Sequence, residues 1–421
     1  MLKENIKSTY AKNNFELLLS SIFLFVVNPF IAVMIVFHLL YSKLVLPKER
    51  LINFLIWFLA FFLAFINLTK IPENDLHFHG LQYTQVKGFS LLGYLKAIYK
   101  EPMGYIFNYV CYHLSGGSLK FWILSFSLIS YLFFFKAIKL FFLKIKAPIN
   151  LIVLGLILGA FFPQLFSLSA HLIRQFIASA IFIYFAVDKI FYKNNKWWLV
   201  VLGVLTHASS LILFSLVYLK FLGNFKQYRF INIFLIILLL FYQKIADLLL
   251  PVFGGISPFV RYILERASRN TNFDLGSFPW LNFVMMLVMI IIVLISKKLV
   301  GRYFNKSKIT EESENDSSEL EQNFIFFFTI MIILSFFILS NLHQSELSIR
   351  LFFYLFFYFP FVFPLLIGRF KNRAIISYFI SVLFIFFFAY RLEFGVWHYA
   401  SLFEIVTSSV FSFLTRPEPV I

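Results

Sequence analysis

The chain is a succession of apolar runs long enough to cross a bilayer, and this restricts its fold more than any single motif does. A crossing helix needs about 20 mostly apolar residues. Such runs lie at Phe15–Tyr41, Leu51–Leu68, Phe121–Leu143, Ile149–Ser167, Ile173–Tyr192, Trp197–Leu219, Ile231–Leu250, Leu281–Ile295, Phe324–Leu342, Arg350–Gly368 and Ile375–Tyr390. They predict an all-α, polytopic integral membrane protein, one helical domain with about 11 (about 10–12) transmembrane helices. Met103–Leu114 is too short and too polar for a further full crossing. Composition agrees, with 61% hydrophobic and 14% charged residues against about 45–50% and about 25% in soluble domains. An ordinary cytosolic enzyme, a secreted disulfide scaffold and a disordered chain are excluded. So is an outer-membrane barrel, whose strands alternate apolar and polar residues.

The net charge of +17 is read as an orientation signal, since Lys and Arg gather in cytoplasmic loops; no nucleic-acid partner is expected. Basic clusters at Lys43–Arg50, Lys144 and Lys146, Lys193 and Lys196, Lys297–Lys308 and Arg369–Arg373 place those loops inside. Thr69–Pro102, the Ser167–His171 corner, Pro251–Pro279 and Asn341–Ser348 then lie outside. Two of these, 69–102 and 251–279, are long periplasmic loops, while 297–322 reads as a charged cytoplasmic loop. The alternation does not close between Trp197 and Leu250, where one segment re-enters or one loop breaks the charge rule. Lys3, Lys7 and Lys12 precede the first run as in a signal peptide. No small-residue cleavage site follows and Asn28-Pro29 interrupts the run, so it is read as a retained span. The single cysteine, Cys111, permits no internal disulfide. The 62 Phe residues are read as a bias toward A/T-rich codons rather than as a sugar-stacking surface. No internal repeat is apparent.

Ionisable groups at membrane depth are costly, so each is a candidate functional group. Arg174 stands at the outer end of an apolar helix in Ser169-Ala-His-Leu-Ile-Arg174-Gln175. Helical spacing would align Ser167, His171, Arg174 and Ala178, with Gln175 beside them, and Pro163 should interrupt the preceding helix. The guanidinium suits bidentate binding of phosphate; the alternative is an Arg snorkelling to headgroups. His207 lies among Gly203, Thr206 and Ser210, a small and polar stripe that serves either chemistry or helix packing. Arg350 precedes Tyr354 and Tyr358 at four-residue intervals, a site for a phosphate and a sugar edge or an interfacial aromatic belt. Arg261, Glu265, Arg266 and Arg269 read as a short helix in which Arg261 binds an anion or pairs with Glu265. Asp75, His77 and His79 alternate as metal ligands do in an extended chain, a weak signal, and no metal is expected. A phosphate-binding glycine loop, a nucleophile elbow and HExxH are all missing, which argues against an ATP-driven pump and an intramembrane metalloprotease.

The order of these motifs resembles the EpsG-type branch of the Wzy polysaccharide polymerases. Asp75 and Tyr83 stand in the first outer loop, followed by Lys100-Glu101-Pro102, Ile173-Arg174-Gln175-Phe-Ile-Ala178, Thr206-His207-Ala-Ser209 and Arg350-Leu-Phe-Phe-Tyr354. In place of the family's adjacent Asp-Tyr pair, Asp75 is followed by Leu76. The resemblance implies a bacterial inner-membrane glycosyltransferase acting at the periplasmic face on O-antigen or capsule repeat units. Donor and acceptor would both be linked to undecaprenyl pyrophosphate, with no cofactor or nucleotide. A flippase and a chain-length regulator would be its partners. Arg174, Arg350 and Arg261 would hold the pyrophosphate, and Gln175, Tyr354 and Tyr83 the phosphate or sugar. His207, ahead of His171, Asp75 and Glu101, would take the acceptor proton. Competing readings are a lipid-linked oligosaccharide flippase, an O-antigen ligase and a membrane O-acyltransferase, for which His38 is a poor match.

Overall fold

The computed structural model describes residues 16, 19–42, 48–98, 101–219, 229–268, 279–305, 312–342, 345–395 and 398–419. They are helical throughout, without a strand among the described residues, as expected of an all-α chain. Five helices are long and apolar enough to cross a membrane: Lys48–Leu68, Leu119–Lys144, Ile173–Tyr192, Ser318–Ser340 and Arg373–Phe394. Two bent pairs raise the number to seven, Ile149–Phe161 with Pro163–His171 at 50° and Ser348–Phe356 with Phe359–Ile367 at 48°. The protein is therefore a multi-pass membrane protein. The sequence suggests about 11 spans, and the difference lies in runs that fold as shorter pieces, such as Pro29–Tyr41 and Trp197–Thr206.

The breaks have local causes. Pro163 lacks an N–H and so opens a new helix instead of continuing the old one. His207 takes an extended conformation (φ −152°, ψ 111°) and ends the Trp197–Thr206 helix. The Ser210–Tyr218 helix follows, so Gly203, Thr206, His207 and Ser210 do not form one continuous stripe. Leu172 (φ −116°, ψ 55°) likewise separates Pro163–His171 from Ile173–Tyr192, and the expected alignment of Ser167 and His171 with Arg174 is lost. The stretch 69–102 is not extended chain but carries the helices Asn74–Thr84 and Leu91–Ile98. The acidic run before Gln322 continues as helix in Glu312–Ser340. Residues 306–311 and 271–278, along with Lys100 and Arg269, fall outside the described residues.

The centre of the bundle is the Ile149–Phe161 helix, buried on every side from Leu151 to Phe161. It packs on Leu119–Lys144, Phe359–Ile367 and Arg373–Phe394. Gly155 and Gly159, four residues apart, allow the close approach that small residues give membrane helices. A Cβ on Gly155 would stand 2.9 Å from the Phe142 ring and 3.0 Å from both Ile138 and the Pro360 carbonyl oxygen. Phenylalanine fills the neighbouring volume. The Phe141 ring meets those of Phe191, Phe324, Phe327, Phe328 and Phe361 at centroid distances of 5.3–6.3 Å, so much of the Phe content forms an interhelical core. Because a backbone oxygen blocks relaxation, Gly155→Leu is expected to cost at least the roughly 1–3 kcal/mol of an overpacked core. Thermal melting of the detergent-solubilised variant would show it, and an unchanged melting temperature would refute the tight contact.

Candidate functional site

Three chain breaks converge on one carboxylate. Glu101 precedes Pro102, the first residue of the Pro102–Ser115 helix, and adopts φ 48°, ψ 61°. This left-handed conformation is unfavourable for a side chain with a Cβ, by about 1–2 kcal/mol. It aims the side chain inward, where it is 3% exposed. One carboxylate oxygen, Oε2, lies 2.7 Å from Nη1 of Arg174, just past the Leu172 break. The other, Oε1, lies 2.9 Å from Nδ1 of His207, at the end of the Trp197–Thr206 helix. That ring nitrogen makes no well-aligned hydrogen bond. The Ala208 N–H, left free by the same helix end, donates to Oε1 at 3.2 Å.

Burial alone would raise the Glu101 carboxyl. The His207 ring, the Arg174 guanidinium and the Ala208 N–H outweigh it and hold the group down at about 2. Glu101 is thus an anion throughout the physiological range, which suits it to orient cations rather than to accept a proton.

Arg174 borders a cavity of about 290 Å³ between the Pro102–Ser115, Leu119–Lys144 and Ile173–Tyr192 helices. Its walls are apolar, including Met103, Phe107, Ile177 and Ile181, and its polar groups include Arg174, His79 and Gln82. The guanidinium is 6.0 Å from the Tyr105 ring centroid, and a Cβ on Gly104 would lie 3.3 Å from its Cδ. His79 is the group that sequence reasoning missed, having been placed among alternating metal ligands. On the Asn74–Thr84 helix, Asp75 and His79 share a face and His77 points away; among the described residues no three His, Cys, Asp or Glu side chains cluster to hold a metal. Nδ1 of His79 lies 3.1 Å from Oε1 of Gln82, which also accepts from the Tyr105 hydroxyl at 3.3 Å. Since that oxygen can only accept, Nδ1 carries the proton and Nε2 is left with its lone pair. Burial and then Arg174 lower the His79 imidazole to about 4.

Other expected residues surround this cluster. Gln175 donates through Nε2 to the Arg350 carbonyl at 2.5 Å, and Tyr354, fully buried, shares a 2.9 Å hydrogen bond with Ser209. The Arg350 side chain is exposed while Tyr354 and Tyr358 are buried, so they do not share one open face. Tyr83 is buried against Trp122 and donates to the Ser118 carbonyl at 3.0 Å, a scaffold position. Arg261 pairs with Glu265 at 2.8 Å. His171 faces Lys70, whose Nζ lies 2.6 Å from its Nε2, and not Arg174. Lys70 is itself almost wholly buried, and burial lowers its ammonium to about 7 despite Glu73 and Asp75. Nothing but its place directly behind an apolar run marked it in the sequence.

Glu101 ionises more readily folded than unfolded, so its contribution to stability is complete above the ordinary carboxylate range and disappears as pH falls through about 2. Glu101→Gln is therefore expected to melt at a lower temperature than the parent at pH 7. The gap should begin to narrow below about pH 4.5 and close near pH 2. A gap independent of pH would show that the carboxylate is not ionised in the fold.

The family described as the EpsG family matches residues 77–403, which contain Glu101, Arg174, His207 and Arg350. No curated protein and no solved structure matches significantly. With most of its length covered, including every element of the cluster, the chain belongs to the EpsG family.

Proposed function

We propose that the protein is a polysaccharide polymerase of the bacterial inner membrane. It transfers a growing glycan from undecaprenyl pyrophosphate onto the terminal sugar of a lipid-linked repeat unit at the periplasmic face. The observation that carries this reading is the buried Glu101 carboxylate, held between Arg174 and His207 beside an apolar cavity. A polyprenyl tail fits the apolar walls, and the Arg174 guanidinium meets the pyrophosphate where the tail ends.

The chemistry follows from the charges. The acceptor hydroxyl oxygen attacks the anomeric carbon of the donor, and the bond from that carbon to the pyrophosphate oxygen breaks. Negative charge accumulates on the leaving pyrophosphate, where a fixed Arg174 stabilises it most in the transition state. Arg350, exposed nearby, supplies a second cation. The hydroxyl proton passes to Nε2 of His207. Glu101, behind Nδ1, fixes the ring and stabilises the imidazolium that forms, as the carboxylate of a catalytic triad does. The leaving group is already activated, so the step consumes no nucleotide. A flippase needs an anion site but has no use for an imidazole backed by a carboxylate, and this favours transfer over transport.

In cells that make the polymer, Arg174→Ala should abolish long chains and accumulate single lipid-linked repeat units at normal protein level. Arg174→Lys should restore part of the product, because it returns the charge without the bidentate geometry. His207→Ala should slow polymerisation by about 10²–10⁴-fold. Normal chain lengths in both alanine variants would overturn the assignment.

A further inference from the structure

The polymerase reading imposes a geometric requirement of its own. The donor reacts at the carbon bonded to its pyrophosphate, whereas the acceptor reacts at the far end of its oligosaccharide. The acceptor's lipid phosphate must therefore sit one repeat unit away from Arg174, in a seat of its own. The structure contains a second apolar groove of about 480 Å³, between the Pro29–Tyr41, Arg373–Phe394 and Leu402–Thr407 helices. Met34, Phe161, Val382 and Ile405 are among its walls. Phe388 and Leu392 line this groove and also a small notch of about 70 Å³ that holds Gln164, Ser167 and Arg391. The apolar groove thus lies beside a cation and two neutral hydrogen-bonding side chains. Arg391 is exposed in the last turn of its helix. The hydroxyl of Tyr399, which also borders the notch, is buried with no hydrogen-bond partner in the protein.

We propose that this groove and notch form the seat of the acceptor's polyprenyl pyrophosphate, with Arg391 on the pyrophosphate and Gln164 and Ser167 beside it. The inference rests on the transferase reading given above. The two seats are joined by the Pro163–His171 helix. Gln164 in the notch and Arg174 at the cluster are ten positions apart in sequence, so at about 1.5 Å per helical residue their backbones lie at most about 15 Å apart along the axis. The bend at Leu172 shortens this. A path of that order suits an oligosaccharide of a few sugars bridging from one phosphate to the other. The charge matches too: the notch beside the groove holds a cation, as a tail with an anionic head requires.

The test counts lipids. Native mass spectrometry of the purified full chain, titrated with undecaprenyl phosphate, should show two bound per chain. Arg174→Ala and Arg391→Ala should each leave one, the double variant none, and Val382→Trp, which fills the groove, should leave one. A parallel assay compares a lipid-linked acceptor with the same oligosaccharide freed of lipid. Arg391→Ala should raise the KM for the lipid-linked acceptor about tenfold, the loss of one charge-assisted contact, and leave the KM for the free one unchanged. One lipid per wild-type chain, or two in both Arg391→Ala and Val382→Trp, overturns the second seat. So does phosphatidylglycerol taking the second position in the presence of undecaprenyl phosphate. The transferase reading has its own measure, the chain length made by Arg174→Ala cells, so the two can fail separately.

Discussion

A carboxylate enclosed in an apolar bundle is stable only with charge and donors set around it, and the Glu101 site is arranged to satisfy that condition. Removing an ion from water costs several kcal/mol even after relaxation. Glu101 meets that cost with a guanidinium, an imidazole and a backbone N–H drawn from two other helices. The requirement runs in both directions. Arg174 is only partly exposed, and without Glu101 its charge would lose this counterion. The pair therefore keeps a guanidinium and a carboxylate together inside the bundle, each satisfying the other's charge.

The helix breaks serve the same end. Irregular backbone at membrane depth is tolerated where it is enclosed by protein or lines a cavity. Here the break at His207 frees the Ala208 N–H for Glu101, and the break at Leu172 puts Arg174 at the start of a helix, where N–H groups are also free. The left-handed φ of Glu101 belongs with these features. Strain of this kind persists when the surroundings fix it, and it gathers at functional sites. Unbroken helices would have buried the same side chains without presenting them to a common point.

Much of this was legible in the sequence, to a depth set by the physics of each feature. Apolar runs report burial, so the all-α membrane class and the Pro163 break could be read directly. They do not report where a helix stops, because Leu172 and His207 carry no breaker signal comparable to proline; the alignment of His171 with Arg174 failed for that reason. Arg174 and His207 stood out because charge at depth is expensive, and Glu101 through its Glu-Pro motif, but that the first two share the Glu101 carboxylate is a long-range fact that no local pattern encodes. His79 was seen as one of an alternating set, and only the helix placed it at the cavity with Gln82 behind it. Tyr83 and Tyr354 show the converse, since an aromatic with a hydroxyl reads alike whether it faces substrate or core.

The residues around Glu101 are also tied to the rest of the bundle. Gln175, the neighbour of Arg174, holds the Arg350 carbonyl, and Ser209, two residues beyond His207, holds Tyr354 one turn later on the same helix. The Ser345–Phe356 helix is thereby bonded to both sides of the Glu101 cluster. That helix leads through a 48° bend into Phe359–Ile367, which packs on the closely fitted Ile149–Phe161 helix. Preorganised electrostatics depend on groups that do not relax as charge develops. Here interlocked Phe rings and close glycine contacts hold the helices that carry Glu101's partners, so residues remote from the cluster fix its frame.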